Sequence, residues 1–265
     1  MLSYRHLIIT TALIAGLSLA GCATAPTTPV EKAEFETTND PFEPTNRYIF
    51  SFNDFLDRLL IGPLAGLYRA TVPPPIRDRV ANILGNMSEP VIMANNMFQG
   101  EFTSAGTTLG RFLTNSTLGV GGMFEVANGL GLPEQQGDFG QTLHVWGFGS
   151  GPYLVLPLFG PSNIRDAIGL GIDTLISPWK YAVANAGGEA RDIFDYSDMG
   201  ASALAQREAV IEAYDSLREG SLDFYAQMRS VYRQHRAKQL GDTTAGDMPQ
   251  FDDYESDATN RPIIQ

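Results

Sequence analysis

The chain has one cysteine and three histidines in 265 residues, and that scarcity removes several chemistries at once. A lone thiol, Cys22, has no partner for a disulfide within the chain, so the fold must rest on its packing. His6, His144 and His235 are too few for an imidazole-based zinc site, and no HExxH or comparable spacing occurs. No metal and no cofactor is expected. Basic residues are also short: Lys and Arg number 18 against 30 Asp and Glu, a formal net charge of −12. Nucleic acid is excluded as a partner, because its phosphates demand a basic face. Beyond the first residues, no run reaches the roughly 20 apolar residues that a spanning helix requires.

What is present begins at the amino terminus. Arg5 and His6 give a short positive start, Leu7 to Ala20 is almost unbroken in apolar character, and small residues lead to the cysteine. That is the layout of a secretory signal. Leu19-Ala20-Gly21-Cys22 fits the bacterial lipobox, in which the cysteine sulfur receives a diacylglycerol and the leader is cut before it. Residues 1–21 are therefore expected to be a cleaved lipoprotein signal peptide, with Cys22 the site of lipid attachment. Each buried methylene contributes roughly 0.8 kcal/mol, so two or three acyl chains make a lasting anchor. Ala23 stands where Asp would signal retention at the inner membrane. The expected address is the periplasmic side of a Gram-negative outer membrane.

Residues 22–39 mix Pro, Thr and charge without periodicity and read as a lipidated flexible tether. Residues 242–265 hold six acidic residues against one arginine and read as an acidic disordered tail. The span 40–241 between them is long enough for one domain.

That domain reads as all-α, built from short amphipathic helices broken by Gly and Pro. Asn46 to Leu60 places Tyr48, Phe52, Phe55 and Leu59 on one face. Pro75 to Met87 predicts a second helix. Ser88-Glu89-Pro90 resembles the start of a third, running to about Phe98. Phe102, Ala105, Leu109 and Phe112 mark another. From Gly137 to Pro161 the chain looks irregular, with "YLVLPLF" a short extended piece. Ser162 is expected to cap a helix through Ile164, Ile168, Ile172 and Leu175. A long C-terminal helix is expected from Ala203 to about Leu240, with Gly220 its weak point. Between Met87 and Ala190, only 11 of 104 residues are Asp, Glu, Lys or Arg. A stretch that poor in charge, yet too broken to span, suggests a domain lying in a membrane interface. A compact domain with a large core is the alternative on composition.

Candidate chemistry is sparse. "GFGSG" at Gly147–Gly151 resembles a nucleophile elbow, but Ser150 is fourth in the string and the G-x-S-x-G frame fails. A hydrolase would need His144 as base and Asp138 or Asp166 as orienting acid. "STLGVGGMFEVANG" (Ser116–Gly129) offers a glycine-rich turn before a predicted helix. Its glycines serve either close packing, the favoured reading, or backbone N–H contact with a phosphate. Asp166 and Asp173 on one helix face read as solvated charges or a helix-start acid. Arg229, Arg233 and Arg236 form a basic stripe that suits either a helix C-terminus or anionic head groups.

Four blocks carry a resemblance: "NDPFEPTNRYIFSFN" (Asn39–Asn53), "RVANILGNMSEP" (Arg79–Pro90), "RFLTNSTLGVGGMFEVA" (Arg111–Ala127) and "DFGQTLHVWGFGSGPYLVLPLFGPSNIRDAIGLGID" (Asp138–Asp173). They are similar, in order, to the MlaA/VacJ family of outer-membrane lipoproteins. The resemblance implies a helical ring in the inner leaflet of the outer membrane, with a central amphipathic channel. It implies removal of phospholipids misplaced in the outer leaflet, association with trimeric porins, and transfer to a soluble periplasmic carrier of the Mla pathway. That carrier would return lipid to an inner-membrane MCE-domain ABC complex. No enzyme activity is implied; a lipid-cleaving enzyme or a structural lipoprotein on the same fold is the alternative. Tyr48, Phe52, Phe55 and Leu59 become the candidate membrane-seating face. Asn53, Asn82, Asn86, Asn95, Arg111 and Asn115 become candidates for channel lining or packing bonds. Two departures stand out: Glu125 where the family usually has Asp, and His144 where glycine is expected.

Overall fold

A computed structural model describes residues 40–183 and 187–241. Cys22, the leader, the tether and the acidic tail lie outside the described residues. The chain divides into one unit ending at Leu222 and another beginning at Asp223.

The first unit opens with α1 (Glu43–Leu56), which passes without a loop into a π-helical turn, Asp57–Ile61, and then into α2 (Gly62–Thr71). The predicted helix over 46–60 is therefore the middle of a longer helical path. It ends where Val72 turns extended ahead of Pro73, the conformation that a following proline imposes.

Next comes α3 (Pro74–Phe98), a single helix of 25 residues with Pro90 inside it. Two helices were expected here. Pro90 has no N–H to offer the Asn86 carbonyl, and contacts on both sides carry the helix across that gap. Trp179 Nε1 donates to the Met87 carbonyl at 2.6 Å, and Asn86 and Glu89 are tied to the neighbouring helix. Ser88 is no cap: its hydroxyl donates back to the Leu84 carbonyl at 3.1 Å, as serines inside helices do.

The expected helix α4 (Phe102–Thr117) packs along α3, their contact the most extensive between any two helices. After it the glycine-rich segment forms turns and one 3₁₀ turn, Asn128–Leu130; the helix predicted there does not form. Gly122 explains the packing role of these glycines. It sits at φ 89°, and a Cβ there would come within 2.6 Å of the Asn86 side chain.

Helix α5 (Phe139–Val145) lies in the stretch expected to be irregular. Asp138 accepts from the Gln141 N–H while the Gln141 side chain accepts from Asp138 N–H, a reciprocal capping box. The predicted extended piece is β1 (Tyr153–Leu156), paired antiparallel with β2 (Gly160–Asn163) so that Tyr153 faces Asn163 and Leu156 faces Gly160. Ser162 belongs to that strand. The cap of α6 (Ile164–Ile176) is Asn163, whose side chain accepts from the Asp166 N–H at 2.9 Å. Helices α5 and α6 cross at Gly140 and Gly169, where an added Cβ on Gly169 would lie 2.4 Å from the Gly140 nitrogen. The short α7 (Pro178–Ala182) follows.

The expected long C-terminal helix is divided. Helix α8 (Gly188–Ala209) stops at Val210, and α9 (Ile211–Gly220) continues from it. The second unit carries α10 (Phe224–Gln239). Gly220 and extended Ser221 interrupt the run, and Asp223 starts a new helix by accepting from the Ala226 N–H at 3.1 Å.

The fold is all-α apart from the hairpin, and its burial is inverted. Its largest fully buried side chains are Asn46, Asn95, Asn96, Thr108 and Thr142. Large apolar residues along α1, α2, α4 and the loops stand exposed instead. Among the described residues, no helix is long and apolar enough to cross a membrane.

Candidate functional site

The outward face of α1 and the π-helical turn that follows it holds Tyr48, Phe52, Phe55 and Leu59, exposed by 79, 47, 57 and 64%. Leu60, Leu64 and Leu67 extend the apolar surface through the π-helical turn into α2. Amides on the opposite face fix this orientation. Asn46 donates to the Tyr153 carbonyl at 3.1 Å and accepts from the Val155 N–H at 2.9 Å. Asn53 repeats the pattern further along, donating to the Leu156 carbonyl and accepting from the Leu158 N–H, both at 2.9 Å. Each amide uses donor and acceptor together, so α1 is bound to the hairpin by its polar side. Its aromatic side is left outward.

The other polar candidates gather along α3 and α4, each bonded within the protein. Asn82 donates to the Met123 carbonyl at 3.1 Å, and Asn86 to the Ser116 hydroxyl at 3.0 Å. Arg111 is buried: Nε meets Glu89 at 2.7 Å, one terminal nitrogen the Leu132 carbonyl at 2.8 Å, the other Glu125 at 3.3 Å. Asn115 donates to Glu125 at 2.9 Å and accepts from the Val126 and Ala127 N–H groups. The loop after α4 is thus anchored by one arginine, one asparagine and the Glu125 carboxylate. Burial pushes the Glu89 carboxyl above its usual range, outweighing Arg111, and its Oε2 is buried with no hydrogen-bond partner.

A second polar centre joins α3, α5 and α6. Asn95, fully buried, donates to Asp173 at 2.7 Å and accepts from the Thr142 hydroxyl at 2.9 Å. Asp173 also takes the Phe139 N–H at 3.0 Å. It is a partly buried acceptor at the start of α5 and not a solvated charge. Asp166 fits the helix-start reading, bonded to Asn163 and Arg165.

One cluster escaped the sequence. Asp57, in the π-helical turn, bonds Arg207 at 2.8 Å and Arg218 at 2.6 Å, tying α8 and α9 to the turn between α1 and α2. Asp54 and Asp215 complete the network, and both guanidiniums lie over the Tyr214 ring. Burial alone would raise Asp57, but the two arginines outweigh it and hold its carboxyl below the usual range. These partners are about 150 residues apart, so no local pattern could announce them.

The hydrolase constellation does not assemble. Ser150 donates to the Gly151 carbonyl at 3.3 Å, and His144 Nδ1 lies 3.3 Å from Arg165 Nη1. Asp138 caps α5 and Asp166 meets Arg165. Among the described residues, no group of three or more His, Cys, Asp and Glu could hold a metal ion. In the second unit, Arg236 is buried and donates to Gln239 at 2.9 Å, and Arg229 lies over the Tyr225 ring. Burial and the Arg229 charge hold Arg233 below the usual arginine value.

Comparison with known proteins places this geometry. An uncharacterised protein of Rickettsia felis is 34% identical over 200 residues, covering 76% of each chain. The intermembrane phospholipid transport system lipoprotein MlaA of Escherichia coli is 37% identical over 153 residues, covering 56% of this chain and 58% of that one. Its Haemophilus influenzae namesake is 31% identical over 201 residues, covering 70% and 78%. A solved structure described as "Structural basis for maintenance of bacterial outer membrane lipid asymmetry" superposes with a TM-score of 0.61 at 30% identity, covering 74% of this chain and 96% of that one. The Escherichia coli and Haemophilus influenzae relatives are named as transport lipoproteins and not as enzymes. The profile of the MlaA lipoprotein family matches residues 38–239, and the chain belongs to that family.

Proposed function

We propose that the protein is a lipid-anchored lipoprotein of the outer membrane that takes misplaced phospholipids from the outer leaflet and hands them to a periplasmic carrier. In this reading the helices lie in the inner leaflet as a ring around an amphipathic channel, held beside a trimeric porin and fixed by acyl chains on Cys22. The observation that carries it is the inverted burial. Buried Asn46 binds α1 to the hairpin, and buried Asn95 and Asn96 bind α3 to its neighbouring helices, while Tyr48, Phe52, Phe55 and Leu59 face outward. In water such an apolar exterior would drive aggregation; in a leaflet it is the natural boundary. Polar groups that meet within the protein also suit a setting where water cannot satisfy them.

In this reading the channel is passive and the energy for lipid return comes from elsewhere. Asn53, Asn82, Asn86, Asn95, Arg111 and Asn115 act as packing bonds that keep the helices in register, leaving the channel wall to other residues. Deleting the gene should raise phospholipid in the outer leaflet and sensitise cells to detergent and chelator. Supplying the chain should reverse both. Unchanged surface phospholipid in the deletion strain would overturn the transport reading.

A further inference from the structure

The described arginines of the first unit follow one pattern with one exception. Arg47, Arg58, Arg69, Arg77, Arg111, Arg165, Arg191, Arg207 and Arg218 each have a carboxylate within ion-pairing distance. Arg79 has none among the described residues. Its guanidinium lies 4.3 Å from the centre of the Phe124 ring. In a chain with 30 acidic residues, an arginine with no carboxylate partner among the described residues carries a positive charge that they leave unneutralised.

Its surroundings say what that charge meets. Phe124 is 44% exposed, and Val120 and Met123 beside it are also exposed. The loop is fixed against α3 by the bond from Asn82 to the Met123 carbonyl, one helical turn beyond Arg79. Val120 is held at φ 54°, an uncommon conformation for a β-branched residue, and its side chain projects outward. Most backbone N–H groups of this glycine-rich turn are already used within the protein. The N–H groups of Gly119, Gly121, Gly122 and Phe124 already donate to backbone carbonyls, and those of Val126 and Ala127 to Asn115. An anion arriving here would be met by the side chain of Arg79.

We infer that Arg79, stacked on Phe124 at the edge of this exposed apolar loop, binds the phosphodiester of a phospholipid of the surrounding leaflet and fixes the depth of the loop in the membrane. The chemistry is complementary at both ends. A guanidinium matches phosphate oxygens in two-point geometry, and its other face rests on an aromatic ring. Apolar neighbours enter the acyl region while the charged head stays at the phosphates, the usual posture of arginine at an interface. This rests on the proposed seating of the helices in the leaflet, with Arg79 naming the head-group contact.

The test uses the full lipidated chain, with ¹³C at the arginine guanidinium carbons, in nanodiscs of phosphatidylethanolamine and phosphatidylglycerol. Solid-state NMR then measures ¹³C–³¹P dipolar dephasing. The parent should show an arginine–phosphorus contact that disappears in Arg79→Gln and persists in Arg58→Gln. Circular dichroism should stay at parent values in both variants. The same measurement in phosphate-free detergent, with only co-purified lipid, separates leaflet lipid from a bound lipid molecule. A contact that survives there at full strength would assign the phosphate to bound lipid and overturn the leaflet anchor. Dephasing unchanged by Arg79→Gln would overturn the proposal outright. Contacts from the Phe52 ring to acyl chains, read in a companion sample carrying ¹³C-labelled phenylalanine with Phe52→Leu as the assignment control, report on seating independently, so a failed Arg79 contact leaves that reading standing.

Discussion

Arg111→Met places the heaviest load on the polar interior. Arg111 and Glu89 side chains are 6 and 5% exposed and meet at 2.7 Å. The substitution removes the bonds to Glu89, the Leu132 carbonyl and Glu125, and leaves the Glu89 carboxylate buried without its counter-charge. Breaking a buried pair from one side costs about 3–5 kcal/mol. At about 2–4 °C per kcal/mol for a domain of this size, the melting temperature should fall by roughly 6–20 °C. The loss should depend on pH. Burial already raises the Glu89 carboxyl, so the folded state holds that proton more tightly than the unfolded chain. Its contribution is therefore most favourable at acid pH and is lost as the pH rises through the raised value. Without Arg111 that value climbs further, so the variant's deficit should be largest near neutrality and shrink on acidification. Adding Glu89→Gln should recover much of the loss, since the charge left unpaired is then gone. Circular dichroism melts of parent, both single variants and the double variant in mild detergent provide the measurement. An Arg111→Met protein within 1 °C of the parent, or a second substitution that deepens the deficit, would refute the reasoning.

Phe52→Asp should keep its helical circular dichroism and melt within a few degrees of the parent in detergent, because Phe52 is nearly half exposed. In cells it should raise surface phospholipid, since a carboxylate entering the apolar zone costs up to about 3 kcal/mol; a tight outer membrane at normal expression would remove α1 as the seating helix. Cys22→Ser should abolish palmitate labelling and leave uncleaved precursor, and processed protein that still sediments with outer membranes would contradict the anchor. His144→Ala and Ser150→Ala should leave function within a few-fold of the parent. Loss of a nucleophile or base would instead cost several orders of magnitude with folding intact.

Local periodicity carried the parts of the fold that depend on local physics. The face of α1 and the helix α4 were legible because apolar spacing alone specifies them. Helix α5 was missed although Asp138 and Gln141 stand in capping-box register, a signal hidden by surrounding glycines. Pro90 misled because a proline reads locally as a helix start. Bonds from Trp179, Asn86 and Glu89, all to partners distant in sequence, carry α3 through it. The polar candidates were legible as residues, but their partners were not. Asn53 meets backbone beyond residue 150, and Asp57 meets Arg207. Such pairings exist only once the chain has folded, and no pattern within a window of sequence encodes them.

The claim that the protein moves intact phospholipid is tested most directly by the lipid it carries. The full chain, purified from outer membranes in mild detergent and extracted with organic solvent, should yield intact diacyl phospholipid by mass spectrometry. The yield should be near stoichiometric with protein, and lysophospholipid should stay at background after incubation. Protein that returns no phospholipid under conditions preserving its fold would contradict the transport role, and steady production of lysophospholipid would make it an enzyme.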